Sequence, residues 1–175
     1  DHEVLNIDLI EPKISFANGK SLNVRHIAAC DGIKSKCRSL IYKETAQPTY
    51  SGYSIWRGIL KKKQSDNHIH LGPNFHIVTY PISNDRVSFV AAIKSPKEAI
   101  ESWKAKGSYQ DLCNDLPEST RSIYESLQGS NEIYKWGVYI KEIPAQLFDN
   151  NITFLGDAAH PMVPFLGQGG CMALE

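Results

Sequence analysis

The first part of the chain alternates apolar and polar residues, which is the pattern of half-buried β-strands. This alternation covers residues 4–10 and 13–16, and the segment 17–20 (ANGK) that follows is a hairpin turn signal. The alternation resumes over residues 22–29. The pattern therefore predicts a hairpin followed by one further strand that runs continuously from residue 22 to residue 29.

From about residue 45 the pattern becomes a series of strand-like segments separated by turn residues. These predicted strands cover residues 50–60, 68–71, 75–80, 86–93 and 134–143. Helical segments are predicted between the last two of them, over residues 96–105, 109–113 and 118–127. Near the end, residues 152–155 (ITFL) are apolar, as is typical of a strand covered on both faces. The predicted fold class is α/β, with an α+β part in the middle of the chain.

Composition excludes several classes of function. The 175 residues are 42% hydrophobic and carry a formal net charge of zero, so we expect no nucleic-acid partner and no anionic membrane surface. No apolar run approaches the roughly 20 residues of a membrane span. No signal peptide is visible, and the four cysteines form no C-x-x-C pair, so we expect a cytoplasmic protein with free thiols.

The segment after the last predicted strand indicates a nucleotide-cofactor site. Asp157 lies just beyond the carboxyl end of this strand, where α/β sheets place their ligands. A glycine cluster, Gly167, Gly169 and Gly170, then opens a predicted helix. Backbone N–H groups at a helix start favour a negatively charged group.

Two motifs carry a resemblance to a known family. The segment 156–161 (GDAAHP), followed by Pro164 and by Gly167-Gln168-Gly169, closely resembles the second flavin motif of the FAD-dependent aromatic hydroxylases, the para-hydroxybenzoate and salicylate hydroxylase group. The upstream segment 30–38 (CDGIKSKCR) resembles the Asp-Gly motif of that family, with Ala29-Cys30 in place of Gly-Ala. The resemblance covers nearly the whole chain.

The resemblance implies a domain arrangement. Residues 1–44 and 144–175 would be parts of a Rossmann-like FAD-binding domain, and residues 45–143 would form a mixed β-sheet substrate domain. The glycine turn G-x-G-x-x-G, with which this family binds the pyrophosphate, does not occur in the chain. We therefore expect a fragment of a longer enzyme that by itself does not retain FAD.

The resemblance also implies a set of cofactor-binding residues. They are Asp157, Gly156, Asp31, Gly32, Arg38, Pro164, Gly167, Gln168, Gly169 and Gly170. Simpler interpretations stay open for several of them: Asp157 as a helix or turn cap, Asp31 in an Asx-turn, and the glycines as an ordinary turn. Arg38 could fix neighbouring backbone, contact phosphate or form a surface salt bridge.

Candidate substrate residues lie in the predicted strand 75–80. His76 and Tyr80 share one face of this strand and resemble the active-site pair of the salicylate and hydroxybenzoate hydroxylase branch, where the histidine can accept the phenol proton. The alternative is a structural histidine beside a core tyrosine. Gln168 could reach the polar group of the substrate. Arg57 could bind a carboxylate, or it could stack near Trp56 as a structural residue.

The implied activity is hydroxylation of a small phenolic or aromatic acid with FAD, O₂ and either NADH or NADPH as co-substrate. Two alternatives stay open: a flavin monooxygenase acting on a non-aromatic natural product, and a truncated flavin-free protein without activity. Asp66, His68 and His70 could share a strand face, but we expect a solvated surface there and no metal site. The sequence does not indicate the oligomeric state.

Overall fold

The computed structural model describes residues 2–43, 45–96, 98–99, 102 and 104–174. The chain forms two compact units. One unit, here called the discontinuous unit, combines Asp1–Thr49 with Ile140–Glu175. The other, here called the central unit, is Tyr50–Tyr139.

The strands are, in chain order, β1 (Val4–Asp8), β2 (Lys13–Phe16), β3 (Ser21–Asn23), β4 (Ile27–Ala29), β5 (Thr49–Lys61), β6 (His68–Gly72), β7 (Phe75–Ser83), β8 (Arg86–Lys94), β9 (Tyr134–Ile140), β10 (Phe148–Asp149) and β11 (Ile152–Phe154). The α-helices are α1 (Lys36–Tyr42), α2 (Tyr109–Asp115), α3 (Arg121–Tyr124) and α4 (Gly169–Met172). Short 3-10 turns lie at Glu118–Thr120, Glu125–Leu127, Gly156–Ala158 and Pro164–Leu166. Within the described residues, no helix has the length and apolar character needed to cross a membrane.

The discontinuous unit contains two three-stranded sheets. Strands β1, β2 and β3 form an antiparallel sheet, and the predicted hairpin turn is confirmed by the Phe16 N–H, which donates to the Lys20 carbonyl at 2.9 Å. The second sheet has the order β10-β11-β4, and β11 runs parallel to β4 with Ile152 opposite Ile27. Both of these isoleucines are buried in the core of the unit.

The prediction of one continuous strand over residues 22–29 is wrong. Strand β3 ends at Asn23, which pairs with β2, whereas β4 begins at Ile27 and pairs with β11. Between them the Val24 N–H donates to the Pro12 carbonyl at 2.9 Å. The alternating pattern continues across the break although β3 is exposed and only β4 has a buried face, and the chain changes sheets there.

The central unit is built on an antiparallel five-stranded sheet with the order β6-β7-β8-β5-β9. One face of this sheet packs against the helical segment, and we call it the core face. Side chains from both layers form a single hydrophobic cluster: Trp56, Leu60, Ile77, Val87, Phe89, Ala91, Ile93, Leu112, Leu116, Tyr124, Leu127 and Ile133. This confirms the predicted sheet with helices on one side.

Two predictions of the central segment need correction, and two short elements elsewhere were not predicted. The described residues of the predicted helix 96–105 are not helical, and residues 97, 100, 101 and 103 lie outside the described residues. Backbone pairing prevents a helix at its end, because the Lys135 N–H donates to the Ala105 carbonyl at 3.0 Å. The predicted strand 134–143 ends at residue 140. Helix α1 and the two-residue strand β10 were not predicted.

A polar network ties the central sheet to α2. The indole N–H of the fully buried Trp56 donates to Asp115 Oδ2 at 2.9 Å. Lys135 Nζ donates to the same oxygen at 2.7 Å and lies 5.0 Å from the centroid of the Trp56 ring. Because a buried N–H without an acceptor is costly, the Asp115 carboxylate stabilises the position of Trp56 in the core.

We expect Asp115→Asn to lower the free energy of unfolding by about 1 kcal/mol, because the amide still accepts from Trp56 but no longer pairs with the Lys135 charge. Urea unfolding followed by Trp fluorescence measures the loss. Arg121→Gln is the matched control, since it removes an exposed ion pair with Glu118 and should change stability little. Equal midpoints for the two variants would contradict a stabilising role for Asp115.

Candidate functional site

The parallel pairing of β4 and β11 brings the two acidic motifs together. Ala29 lies opposite Phe154, and the Leu155 N–H donates to the Ala29 carbonyl at 3.0 Å. Asp31 and Asp157 therefore both follow the carboxyl ends of adjacent parallel strands. In α/β sheets this edge is where ligands bind.

The carboxylate of Asp31 organises the start of α1. Its Oδ1 accepts from the Ser35 hydroxyl at 2.6 Å, and its Oδ2 accepts from the Cys37 N–H at 3.0 Å. Gly32, with φ +76°, closes the turn that leads to Ser35. Burial is the largest single influence and would raise the pKa of Asp31, but the hydrogen bonds from Cys37 and Ser35 together outweigh it and lower the pKa. These partners lie four and six residues after Asp31, so the bonds that the structure describes are not those of an Asx-turn; the carboxylate instead fixes the start of α1.

Arg38 connects α1 to the second motif. It is fully buried, and its guanidinium donates to the Ala158 carbonyl at 3.2 Å and to the Glu142 carbonyl at 2.9 Å. Since Ala158 directly follows Asp157, these bonds fix the backbone that carries the second acidic side chain. The geometry favours the backbone-fixing interpretation of Arg38 over a surface salt bridge.

Asp157 is exposed within the 3-10 turn Gly156–Ala158. It makes no side-chain capping bond, and in the described part of the chain its carboxylate has no hydrogen-bond or ion-pair partner. The capping interpretation of Asp157 therefore has no support from the geometry. A carboxylate in this position is free to accept hydrogen bonds from the hydroxyl groups of a ligand.

The glycine cluster leaves open space beside the backbone. Gly167 has φ +65° and follows the turn Pro164–Leu166, while Gln168 is exposed before the four-residue helix α4. At Gly170 a Cβ would meet no atom within 4 Å, and the backbone there does not adopt the left-handed conformation that glycine favours. Nothing described within the chain requires glycine at 170, and the surface beside it is open.

In the central unit, β7 separates two kinds of side chain. Ile77 and Thr79 are fully buried on the core face. His76, Val78 and Tyr80 alternate onto the opposite face, here called the open face, where Tyr80 is 36% exposed. Burial lowers the pKa of His76 below its usual value, so the imidazole is neutral at pH 7 and able to accept a proton.

Arg57 also belongs to the open face. It lies opposite Val90 on β8, and Val90 lies opposite Val78 on β7. The Cα atoms of His76 and Tyr80 are about 13 Å apart along β7, and Arg57 is about 10 Å from β7 across two strand spacings. The structure therefore places His76, Tyr80 and Arg57 on one face of the sheet, with their Cα atoms well separated from one another.

The suggested stacking of Arg57 on Trp56 is wrong. Consecutive residues of a strand point to opposite faces, and Trp56 is buried on the core face. The cation over the Trp56 ring is Lys135. The Arg57 side chain instead lines a cavity with Lys104, Glu132 and Tyr134, among others.

The three residues considered for a metal site do not form one. His68 and His70 have ring centroids 6.3 Å apart, and Asp66 accepts from the Ser65 hydroxyl. Among the residues that the structure describes, there is no group of three or more His, Cys, Asp or Glu side chains able to hold a metal ion.

Sequence reasoning missed several residues around these sites. Ser35 was identifiable, since a serine before a helix is a preferred N-cap and here accepts from the Arg38 N–H at 3.0 Å. Lys104, Glu132 and Tyr134 gave no local signal, because their proximity to Arg57 depends on backbone pairing between distant segments.

Comparison with curated proteins gives relatives with named activities. The 3-amino-4-hydroxybenzoate 2-monooxygenase of Streptomyces cremeus is 28% identical over 171 residues, which cover 93% of this chain and 42% of the relative. The 3-hydroxybenzoate 6-hydroxylase 2 of Aquipseudomonas alcaligenes is 27% identical over 178 residues, covering 90% of this chain and 51% of the relative. The chain thus spans about half the length of the curated relatives it matches, or less.

Solved structures show the same fold. HpxO of Klebsiella pneumoniae, complexed with FAD and uric acid, superposes with a TM-score of 0.79 at 22% identity, covering 99% of this chain and 46% of that chain. A salicylate hydroxylase substrate complex gives a TM-score of 0.75 at 18% identity, covering 97% of this chain and 48% of that chain. The predicted fold class is confirmed.

The family model described as "FAD binding domain" matches residues 9–175, which is nearly the whole chain. The two motifs at the β4–β11 edge lie within this match. The resemblance to the FAD-dependent hydroxylases is thereby confirmed, and the chain belongs to the FAD-binding-domain family that occurs in FAD-dependent monooxygenases.

Proposed function

We propose that the protein hydroxylates a small phenolic or aromatic acid, consuming O₂ and either NADH or NADPH. The observation that carries this proposal is the meeting of two acidic motifs at the carboxyl edge of β4 and β11, with Asp157 exposed. In the balanced reaction, an aromatic C–H, O₂, NAD(P)H and a proton yield a phenolic C–OH, water and NAD(P)⁺. FAD, when bound, would supply the electron transfer between the nicotinamide and oxygen.

The discontinuous unit would hold FAD. Asp157 would accept hydrogen bonds from ribityl or ribose hydroxyls, and Arg38 would keep the backbone beside Asp157 in place through Ala158. The remaining proposed contacts are Gly156, Asp31, Gly32, Pro164, Gly167, Gln168, Gly169 and Gly170. Support comes from the exposed carboxylate of Asp157 and from the open space at Gly170.

The central unit would bind the substrate. His76 would accept the phenol proton, which raises the electron density of the ring before oxygen transfer. Tyr80 would contact the substrate from the same open face, and Gln168 is a further proposed contact to a polar group of the substrate. Arg57 would bind a carboxylate. Support comes from the neutral imidazole of His76 and from the alternation of β7.

The test is oxygen transfer by the complete protein supplied with FAD. We expect 3-hydroxybenzoate or a related acid to stimulate NADH or NADPH oxidation, and ¹⁸O from ¹⁸O₂ to appear in the product. Transfer of ¹⁸O to non-aromatic substrates alone would contradict the substrate class. A protein that binds no flavin and oxidises no nicotinamide would contradict the whole proposal.

Gly170→Ala tests the proposed position of the flavin ring. The methyl group meets nothing within the described chain, so the thermal midpoint of the FAD-free protein should not fall. If the ring lies against this backbone, FAD affinity should drop about tenfold, because the methyl group occupies its space. A fluorescence titration measures the affinity, and unchanged binding would place the ring elsewhere.

A further inference from the structure

A cleft of about 850 Å³ lies at one end of the five-stranded sheet of the central unit, between the segment that follows β5 and the turn that joins β7 to β8. Residues 62–65 and 81–84 supply most of its lining. The volume is in the upper part of the range of small-molecule sites. In the part of the chain that the structure describes, no carboxylate lines this cleft.

Hydrogen bonds to β7 hold the first of these segments in place. The Gln64 amide donates to the Thr79 carbonyl at 3.0 Å, and the Thr79 hydroxyl donates back to Gln64 Oε1 at 3.2 Å. Thr79 is fully buried, so Gln64 attaches the segment that carries Lys62 and Lys63 to the core of the sheet. The two lysines therefore extend from an anchored backbone.

Positive charge accumulates at this end of the sheet. Lys62 and Lys63 line the cleft, and Lys61 lies directly opposite Arg86 in the pairing of β5 with β8. Like charges at opposite positions of neighbouring strands repel each other. Among the described residues, none of these four side chains forms an ion pair. An anion held in the cleft would reduce this repulsion.

The acidic residues of the two segments do not occupy the cleft. Asp66 Oδ2 accepts from the Ser65 hydroxyl at 2.6 Å, and Asp85 Oδ1 accepts from the Ser83 hydroxyl at 2.9 Å. Neither aspartate belongs to the lining. Asn84 does, and its side-chain amide makes no hydrogen bond within the described ranges, so its donors are available to a ligand.

We propose that this cleft binds a phosphate group. Lys62 and Lys63 pair with its oxygen atoms, and the Asn84 amide donates to a further oxygen. Above about pH 7 a phosphate group carries nearly two negative charges, which match two lysines better than the single charge of a carboxylate does. Inorganic phosphate and phosphate esters share this chemistry. The proposal rests on the cleft alone and does not depend on the proposed function.

The experiment is a ³¹P NMR titration of the complete, FAD-loaded protein at constant ionic strength, with inorganic phosphate and separately with glycerol 3-phosphate. We expect Lys62→Gln and Lys63→Gln each to weaken binding about fivefold, and the double variant to weaken it further. Acetate, with its single charge, should compete at least about tenfold more weakly than either phosphate compound. Tighter binding of glycerol 3-phosphate would identify a phosphate ester as the ligand, and tighter binding of the free ion would identify inorganic phosphate.

Two matched variants serve as controls. Lys20→Gln removes an exposed lysine of the discontinuous unit and should bind phosphate like the wild type, while Lys62→Arg keeps the charge and should retain most of the affinity. Phosphate should also raise the thermal midpoint of the wild type more than that of the double variant, because a ligand of the folded state stabilises it.

Equal phosphate binding by the wild type and the double variant would overturn the proposal. Competition by acetate as strong as that by glycerol 3-phosphate would overturn it too, since the cleft would then be a positively charged surface without preference for phosphate. Oxygen transfer by the wild-type protein is a separate measurement, so either result leaves the proposed function standing.

Discussion

His76→Ala should slow hydroxylation of a phenolic substrate about 10²–10⁴-fold, which is the usual contribution of a general base. The affinity for FAD should stay nearly unchanged. The side chain lies on the open face of β7 and contributes nothing to the core cluster of the central unit. The loss should therefore fall on the rate of the chemical step. Rapid mixing of the reduced, FAD-loaded protein with O₂ and substrate measures this rate directly.

The pH dependence of this effect has a defined sign. Histidine accepts a proton only in its neutral form, and burial lowers the pKa of His76 below the usual 6.5. The rate of the wild-type protein should therefore fall only as the pH drops below 6.5. As the pH rises, the phenol ionises unaided, so the difference between the variant and the wild type should shrink.

His68→Ala is the matched control, because His68 is an exposed histidine of the same sheet and pairs with Thr79, which faces the core. It should hydroxylate at the wild-type rate. Loss of flavin and activity together in His76→Ala would make His76 a structural residue. A wild-type rate at every pH would mean that another group takes the proton.

Asp157→Ala in the complete protein should weaken FAD binding by about 1.5–3 kcal/mol, which is about 10- to 150-fold in the dissociation constant. The reason is the loss of a carboxylate that accepts from two hydroxyls of the cofactor. Because Asp157 has no partner within the described chain, its removal should not lower stability. Titration of the FAD-free protein, followed by the quenching of flavin fluorescence, gives the dissociation constant.

Two further variants sharpen this test. Asp157→Asn keeps one acceptor oxygen and should lose less affinity than the alanine variant. Asp66→Ala removes an exposed carboxylate from the turn before β6 in the central unit and should bind FAD like the wild type. If Asp157→Ala and Asp66→Ala have the same affinity, Asp157 does not contact the cofactor.

Elements with their own periodicity could be predicted from the sequence. The pattern located β2, β5, β7 and β8 to within a few residues, through alternation in β7 and through a nearly continuous buried run in β8. Helix α1 was missed because its seven residues are too few to show a helical period, although Ser35 marked its start. The false strand at residues 22–29 arose because periodicity does not identify the partner strand, and β3 and β4 pair with different strands.

The candidate sites likewise divide into residues marked by their own segment of sequence and residues placed by contacts between distant segments. Asp31 and Asp157 were identified because each lies in a motif that is contiguous in sequence. The role of Arg38 was left open, since its partners, the Ala158 and Glu142 carbonyls, are backbone atoms more than a hundred positions away. The surroundings of Arg57 could not be predicted for a similar reason, because Lys104 and Tyr134 reach it only through long-range pairing of the backbone.

The parallel pairing of β4 with β11 has a consequence for the making of the protein. During synthesis, Ile27 leaves the ribosome long before Ile152, its partner in the sheet. The whole central unit is translated between them, and closing so long a stretch of chain costs about 2 kcal/mol more in entropy than closing a hairpin of ten residues. The Asp-Gly motif after β4 can therefore meet the second acidic motif only after β11 has been synthesised. A nascent chain arrested before residue 152 would carry a complete central unit but no edge at which the two acidic motifs meet.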